Sequence, residues 1–320
     1  MVYHSITFND PLSETPLMHK HLAALPILAL LSFFNAAGAF AQPAVVTTIK
    51  PLQFIAAAVM DGVAQPEVLI PSTQSPHHYT LRPSDVGKVS EAPLILWVGP
   101  QMETYLAGFM AQLVERTVVI EAGSLPGIVL LESGQSSEEH VHEEADNHGL
   151  HDPHLWLNTE NAELIARRLS EELIVLDPVN AARYEENLTS FVEGLRLLED
   201  RLRREVAGLV DGRYALYHNG IQYFEKQFGL EHQFVLVPDH EIQPGIRHLL
   251  ALRELLENRP LTCVLEDVNA NEATINTVFR DYPVNRVRID TMGDTIAADQ
   301  YAYVRLVENM TLALRHCLGR

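Results

Sequence analysis

The sequence predicts an α/β protein built as two Rossmann-like βα lobes with mostly parallel sheets, joined by one long rigid α-helix. Three observations lead there. Short apolar runs alternate with helical stretches, and this alternation occurs in two separate series, which is the signature of parallel sheets covered by helices. Between the series lies an unbroken helical pattern of about 30 residues. The chain has 320 residues, 47% of them hydrophobic, enough for two cores of ordinary size.

The elements follow in order. From Met18 the chain reads MHKHLAALPILALLSFFNAAGAFAQ. Lys20 gives a positive start, Leu22 to Phe34 an apolar stretch, and Ala39-Phe40-Ala41 a small-x-small cleavage site before Gln42. Residues 1–41 are therefore expected to be an upstream extension plus a cleaved export signal, with translation starting at Met18 and the mature chain at Gln42. The apolar stretch is short for a membrane anchor, and no Cys follows it to take a lipid. The expected location is the periplasm.

The first lobe, residues 42–177, opens with the strand VVTTI and the helix PLQFIAAAVM. The strand EVLIP, a helix opening near Pro83-Ser84-Asp85, and the strands LILWVG and TVVIE follow. Residues 133–151, SGQSSEEHVHEEADNHGLH, contain almost no large apolar side chain and read as a solvated His-rich acidic loop. A helix from about Asn158 to Leu176 closes the lobe, capped by Asn158 or Thr159. Asp177-Pro178 then reads as an N-cap before a proline at the first helical position. The linking helix, residues 178–210, would be ~45 Å long at 1.5 Å rise per residue. Its stripe of Tyr184, Leu188, Phe191, Leu195 and Leu198 suits a brace between lobes or, alternatively, a coiled-coil dimer face. The second lobe, residues 211–320, repeats the alternation with strands YALYH, QFVLV, LTCVLED and RVRID, and ends in a helix from about Tyr301 to Cys317.

Composition narrows the function. Lys and Arg number 23 against 42 Asp and Glu, a net charge of −19. Such a surface repels phosphate, which argues against nucleic acid as a partner. The only long apolar run is N-terminal, so a polytopic membrane protein is excluded. The two Cys allow one bridge. Cys263 lies in an apolar strand and Cys317 in the last helical turn; in an oxidising compartment a bridge would staple helix to sheet, contributing ~4 kcal/mol. Two buried thiols are the alternative.

The chemistry lies in the histidines, 15 in all. His77 and His78 follow the strand EVLIP, His154 sits in HDPHLWLN, and His218 ends YALYH. Open α/β sheets bind ligands beyond the carboxyl ends of their strands, so a cleft between lobes would bring these imidazoles together. Neutral imidazole suits Zn²⁺, whereas Mg²⁺ and Ca²⁺ require mostly oxygen donors. The loop adds His140, His142, His148 and His151 among five acidic residues, a means of concentrating cations. His142-Glu143 does not start a metalloprotease motif, because Asp146 stands where the second His belongs.

The stretches SPHHYTLRPSD, DPHLWL, YHNGIQYFEKQFGLE, VPDHEIQPG and LTCVLED resemble the cluster A-I solute-binding proteins of metal ABC transporters, and among them the periplasmic zinc-binding (ZnuA-type) components. The resemblance spans the mature chain. It implies metal ligands at His77, His154 and His218, with the metal in the interlobe cleft. Glu usually takes the third place in manganese-binding relatives, so His218 points to zinc. The late acidic ligand of the family maps onto Asp294 in GDTIA, with Asp290 as rival; Pro76 stands where some zinc members carry a Glu, so Asp294 or water fills the fourth place. The family's bridge maps onto Cys263 and Cys317. The resemblance further implies that Zn²⁺ is cargo and that the partners are a cognate permease and its ATPase at the inner membrane. The chain is expected to be a monomer and not an enzyme. A periplasmic zinc hydrolase, a manganese-binding homologue and an adhesin-like binder are the alternatives; no G-x-S-x-G or phosphate-binding glycine loop supports the first.

Overall fold

The computed structural model describes residues 44–133, 151–237, 244–258 and 260–319. Residues 1–41, most of the His-rich loop and most of VPDHEIQPG lie outside them.

The first half contains β1 (Val45–Thr47), α1 (Lys50–Val59), β2 (Glu67–Val68), α2 (Pro83–Glu91), β3 (Leu94–Trp97), α3 (Thr104–Leu113) and β4 (Val118–Glu121). The strands pair in parallel in the order β2-β1-β3-β4. β3 is LILW and buried throughout, as expected of a parallel strand covered on both faces. α1 is buried almost all round, because α4 (Thr159–Leu176), α5 (Ala181–Val206) and α9 (Ala302–Cys317) all pack against it.

The second half contains β5 (Tyr214–His218), α6 (Gln222–Phe228), β6 (Val235–Val237), α7 (Ile246–Asn258), β7 (Cys263–Asp267), α8 (Glu272–Phe279) and β8 (Asn285–Ile289), followed by α9. Its parallel order is β6-β5-β7-β8, the topology of the first sheet repeated. In each sheet the chain reverses its direction of winding next to the first strand, which opens a crevice at the strands' carboxyl ends.

Asn158 caps α4, its side chain accepting the Asn161 N–H at 2.9 Å. The linking helix is shorter than the span 178–210. Residues Pro178–Asn180 form a 3-10 turn, and α5 proper runs 26 residues from Ala181 to Val206, roughly 39 Å. Asp177 stands at the N-cap of this turn, not of α5, and its side chain caps no backbone N–H there. Its carboxylate instead accepts the Asn180 amide at 2.7 Å and the Tyr184 hydroxyl at 2.8 Å. At the other end the chain turns through Gly208 and Gly212 before β5, residues that weaken a helix.

The stripe of α5 is covered within the chain: Tyr184, Phe191, Leu195, Leu198 and Leu202 are buried, and α5 packs on α1, α4 and α9. Each such Leu or Phe contributes about 1.5–3 kcal/mol, which accounts for the stripe without a coiled-coil partner. Cys263 and Cys317 form a disulfide, with Cα atoms 5.3 Å apart, fastening the end of α9 to the middle of the second sheet. No helix among the described residues is long and apolar enough to cross a membrane.

Candidate metal centre

Three imidazoles meet. The ring centroids of His154 and His218 are 5.2 Å apart, His77 and His154 5.6 Å, and His77 and His218 6.4 Å. Rings around a tetrahedral zinc with Zn–N of 2.0–2.1 Å have centroids roughly 5 Å apart. The first two spacings fit, and the third is wider; among the described residues no three His, Cys, Asp or Glu already stand at closed-site distances. The trio is gathered, with His77 and His218 the most widely spaced pair.

Each ring is placed by its own local structure. His77 is half-buried on the segment after β2, whereas His78 beside it is exposed. The segment is pinned on both sides of His77. Tyr105 donates its hydroxyl to the Pro76 carbonyl at 3.0 Å, and buried Tyr79 donates to Asp85 Oδ2 at 2.8 Å. The same Asp85 oxygen accepts the Arg82 N–H at the start of α2, so the helix terminus anchors the ligand segment.

His154 is 7% exposed and precedes the 3-10 turn Leu155–Leu157. Asp152 Oδ1 lies 2.7 Å from its Nδ1 and accepts its backbone N–H at 2.9 Å. A carboxylate only accepts, so Nδ1 carries the proton and Nε2 keeps its lone pair for a metal. Tyr223 holds the Asp152 carbonyl at 2.8 Å. Trp156 then ties this segment to the second half, donating Nε1–H to the Thr291 carbonyl at 3.2 Å.

His218 ends β5 and is half-buried. Gly220 folds back on it: a Cβ there would stand 3.1 Å from His218 Nδ1 and 3.9 Å from His154 Nε2. A side chain at this position would press on the His218 ring, while the His154 ring is at ordinary contact distance.

Carboxylates line the same space. A cavity of about 170 Å³ is bounded by Ser72, His77, His154, Asp267, Asp290 and Asp294, among others. The Asp290 carboxylate is taken up by its own loop, accepting the N–H groups of Met292, Gly293 and Asp294 at 3.0, 2.7 and 2.7 Å. Asp294 accepts the Ser72 hydroxyl. Lys50, at the start of α1, donates to the Gly293 and Asp294 carbonyls at 2.7 and 2.5 Å. Gly293 is left-handed (φ 69°) with the Phe54 ring 2.4 Å from where a Cβ would be, so the loop seats directly on α1. Asp267 ends β7; burial pushes its carboxyl up to about 7, against the pull of His154.

Of the residues named from sequence, His77, His154, Asp290 and Asp294 line this cavity, and His218 meets it through the His77 and His154 rings. His151 pairs with Glu132 in an isolated antiparallel bridge at the two ends of segment 134–150. His140, His142 and His148 lie outside the described residues. Asp152 and Asp267 were not anticipated. Asp152 stands in the same HDPHLWLN motif as His154; Asp267 closes the strand LTCVLED at the end where ligands bind.

Two parallel sheets braced by a long helix, with imidazoles and carboxylates converging between them, define a metal-binding solute-binding protein. Comparison with known proteins narrows the class. Residues 45–317 match the family described as zinc-uptake complex component A, periplasmic (ZnuA). The chain is 33% identical over 306 residues to the high-affinity zinc uptake system protein ZnuA of Yersinia pestis, spanning 91% of this chain and 95% of that one. The Zn(II)-bound ZnuA-like domain of Streptococcus pneumoniae AdcA shares the fold with a TM-score of 0.68 at 20% identity, over 87% of this chain and all (100%) of that one. FpvC of Pseudomonas aeruginosa, in complex with Mn²⁺, shares it with a TM-score of 0.70 at 20% identity, over 87% and 99%; fold alone does not choose the metal. The chain belongs to the zinc-uptake complex component A family.

Proposed function

We propose that the chain is a periplasmic zinc carrier. It is exported behind a signal ending at Ala41, takes up Zn²⁺ between residues 42–177 and 211–320 with 178–210 as the brace, and delivers it to an ABC permease and its ATPase at the inner membrane. His77, His154 and His218 supply three nitrogen donors and Asp294 a carboxylate. His140, His142, His148 and His151 form a capture segment of lower affinity. Zinc is cargo, and the protein works as a monomer without catalysis.

The observation that carries this reading is the gathering of three imidazole rings from three separate chain segments within 5.2–6.4 Å of one another. A neutral nitrogen-rich site with a nearby carboxylate suits a borderline cation such as zinc. The uptake role named for the Yersinia pestis relative supports the same conclusion. Calorimetry tests it. Zinc is expected to bind one tight site per chain and to raise the melting temperature; a melting temperature unmoved by zinc would contradict the proposal.

A further inference from the structure

We propose that Asp267 is a metal ligand and a determinant of metal choice, its carboxylate supplying an oxygen donor to the ion held by His77, His154 and His218. This rests on the zinc-carrier reading and deepens it.

Strand register brings Asp267 to His218. β5 and β7 are parallel neighbours, pairing Tyr214 with Cys263, Ala215 with Val264 and Leu216 with Leu265. Continuing that register by two residues places Asp267 beside His218. In-register residues on adjacent parallel strands lie about 4.8 Å apart and project to the same face. These two strands flank the crevice where the second sheet reverses its winding, the place where such sheets bind ligands.

The cavity adds the other two rings. Asp267 bounds it together with His77 and His154. Strand register thus brings Asp267 to His218, and the shared cavity brings it to His77 and His154.

The acidic residues of the cleft differ in what already holds them. Asp290 spends its carboxylate on three backbone N–H groups, and Asp294 takes the Ser72 hydroxyl. Three neutral imidazoles leave both positive charges of Zn²⁺ uncompensated. Asp294 offsets one charge and Asp267 the other, so that the loaded site expands from four to five donors. A second oxygen donor also moves the site away from copper(I), which prefers sulfur, and toward zinc, cobalt and manganese.

The test uses the full exported protein, with zinc and cobalt(II) as probes. Chelator competition on wild type and Asp267→Asn is expected to show zinc affinity falling about 10–100-fold in the variant. The visible bands of the cobalt(II) form are expected to shift, a change that a purely structural role would not produce. A zinc-loaded crystal structure of the wild type is expected to place an Asp267 oxygen at ~2.0–2.2 Å from the metal, and this arm decides the matter should the variant fail to fold. Equal zinc affinity with unchanged cobalt bands, or a zinc-loaded structure with Asp267 off the metal, would overturn the inference while leaving the carrier reading intact. A wild type that binds no zinc would overturn both, and that result is read before any variant is made.

Discussion

Asp152 decides which nitrogen His154 offers. With Nδ1 donating to its carboxylate at 2.7 Å, Nε2 is the atom left to a metal. Asp152→Ala is expected to lower zinc affinity about 10–100-fold, measured by chelator competition; unchanged affinity would detach Asp152 from the site. At this scale the three His were legible because each ends or follows an apolar run, and the ends of parallel strands are where ligands bind. Asp152 was legible only as part of a motif. Asp267 was not, because LTCVLED reads as a strand whose last residue has no special mark. Only the pairing of β7 with β5, segments far apart along the chain, brings it to His218.

Elements explain how those residues stay in place. Both ends of the His77 segment are tied by tyrosine hydroxyls, and the loop carrying Asp294 is seated by Lys50 and Phe54 of α1. The disulfide closes a loop of sequence separation 54. Cys317→Ser is expected to cost ~4 kcal/mol of stability in denaturant titration, with little effect on zinc affinity, since the bridge lies at the opposite end of β7 from Asp267. Deleting residues 135–148 is expected to reduce the total zinc bound while leaving one tight site; loss of that site would contradict its assignment to His77, His154 and His218. Strand and helix positions followed from apolar periodicity, because hydrophobic burial dictates both. The start of α5 did not, because Asp177-Pro178 has the same residues whether it caps an α-helix directly or precedes a 3-10 turn.

The whole molecule couples metal, protons and folding. Zinc at 100 times its dissociation constant is expected to add about 2.7 kcal/mol to stability. Binding needs neutral imidazoles, so zinc affinity is expected to fall as pH drops from roughly 7 to 5. The metal-free protein carries an opposite slope at Glu103. This carboxyl is fully buried, accepts the Val98 and Gly99 N–H groups, and is pushed by burial from an ordinary 4.5 up to about 7. The folded chain holds that proton more tightly than the unfolded one, so the associated stability is full below 4.5 and is lost as pH rises toward about 7. Glu103→Gln is expected to flatten that part of the pH profile in denaturant titrations without metal; an identical profile would show that Glu103 is ionised throughout.

One claim stands under all of this: His77, His154 and His218 hold a single zinc ion. Zinc titration of the protein lacking residues 135–148, with each of the three changed to Ala in turn, tests it most directly. One tight site is expected in the parent, and its loss in every variant. A variant that keeps the parent's stoichiometry and affinity would contradict it.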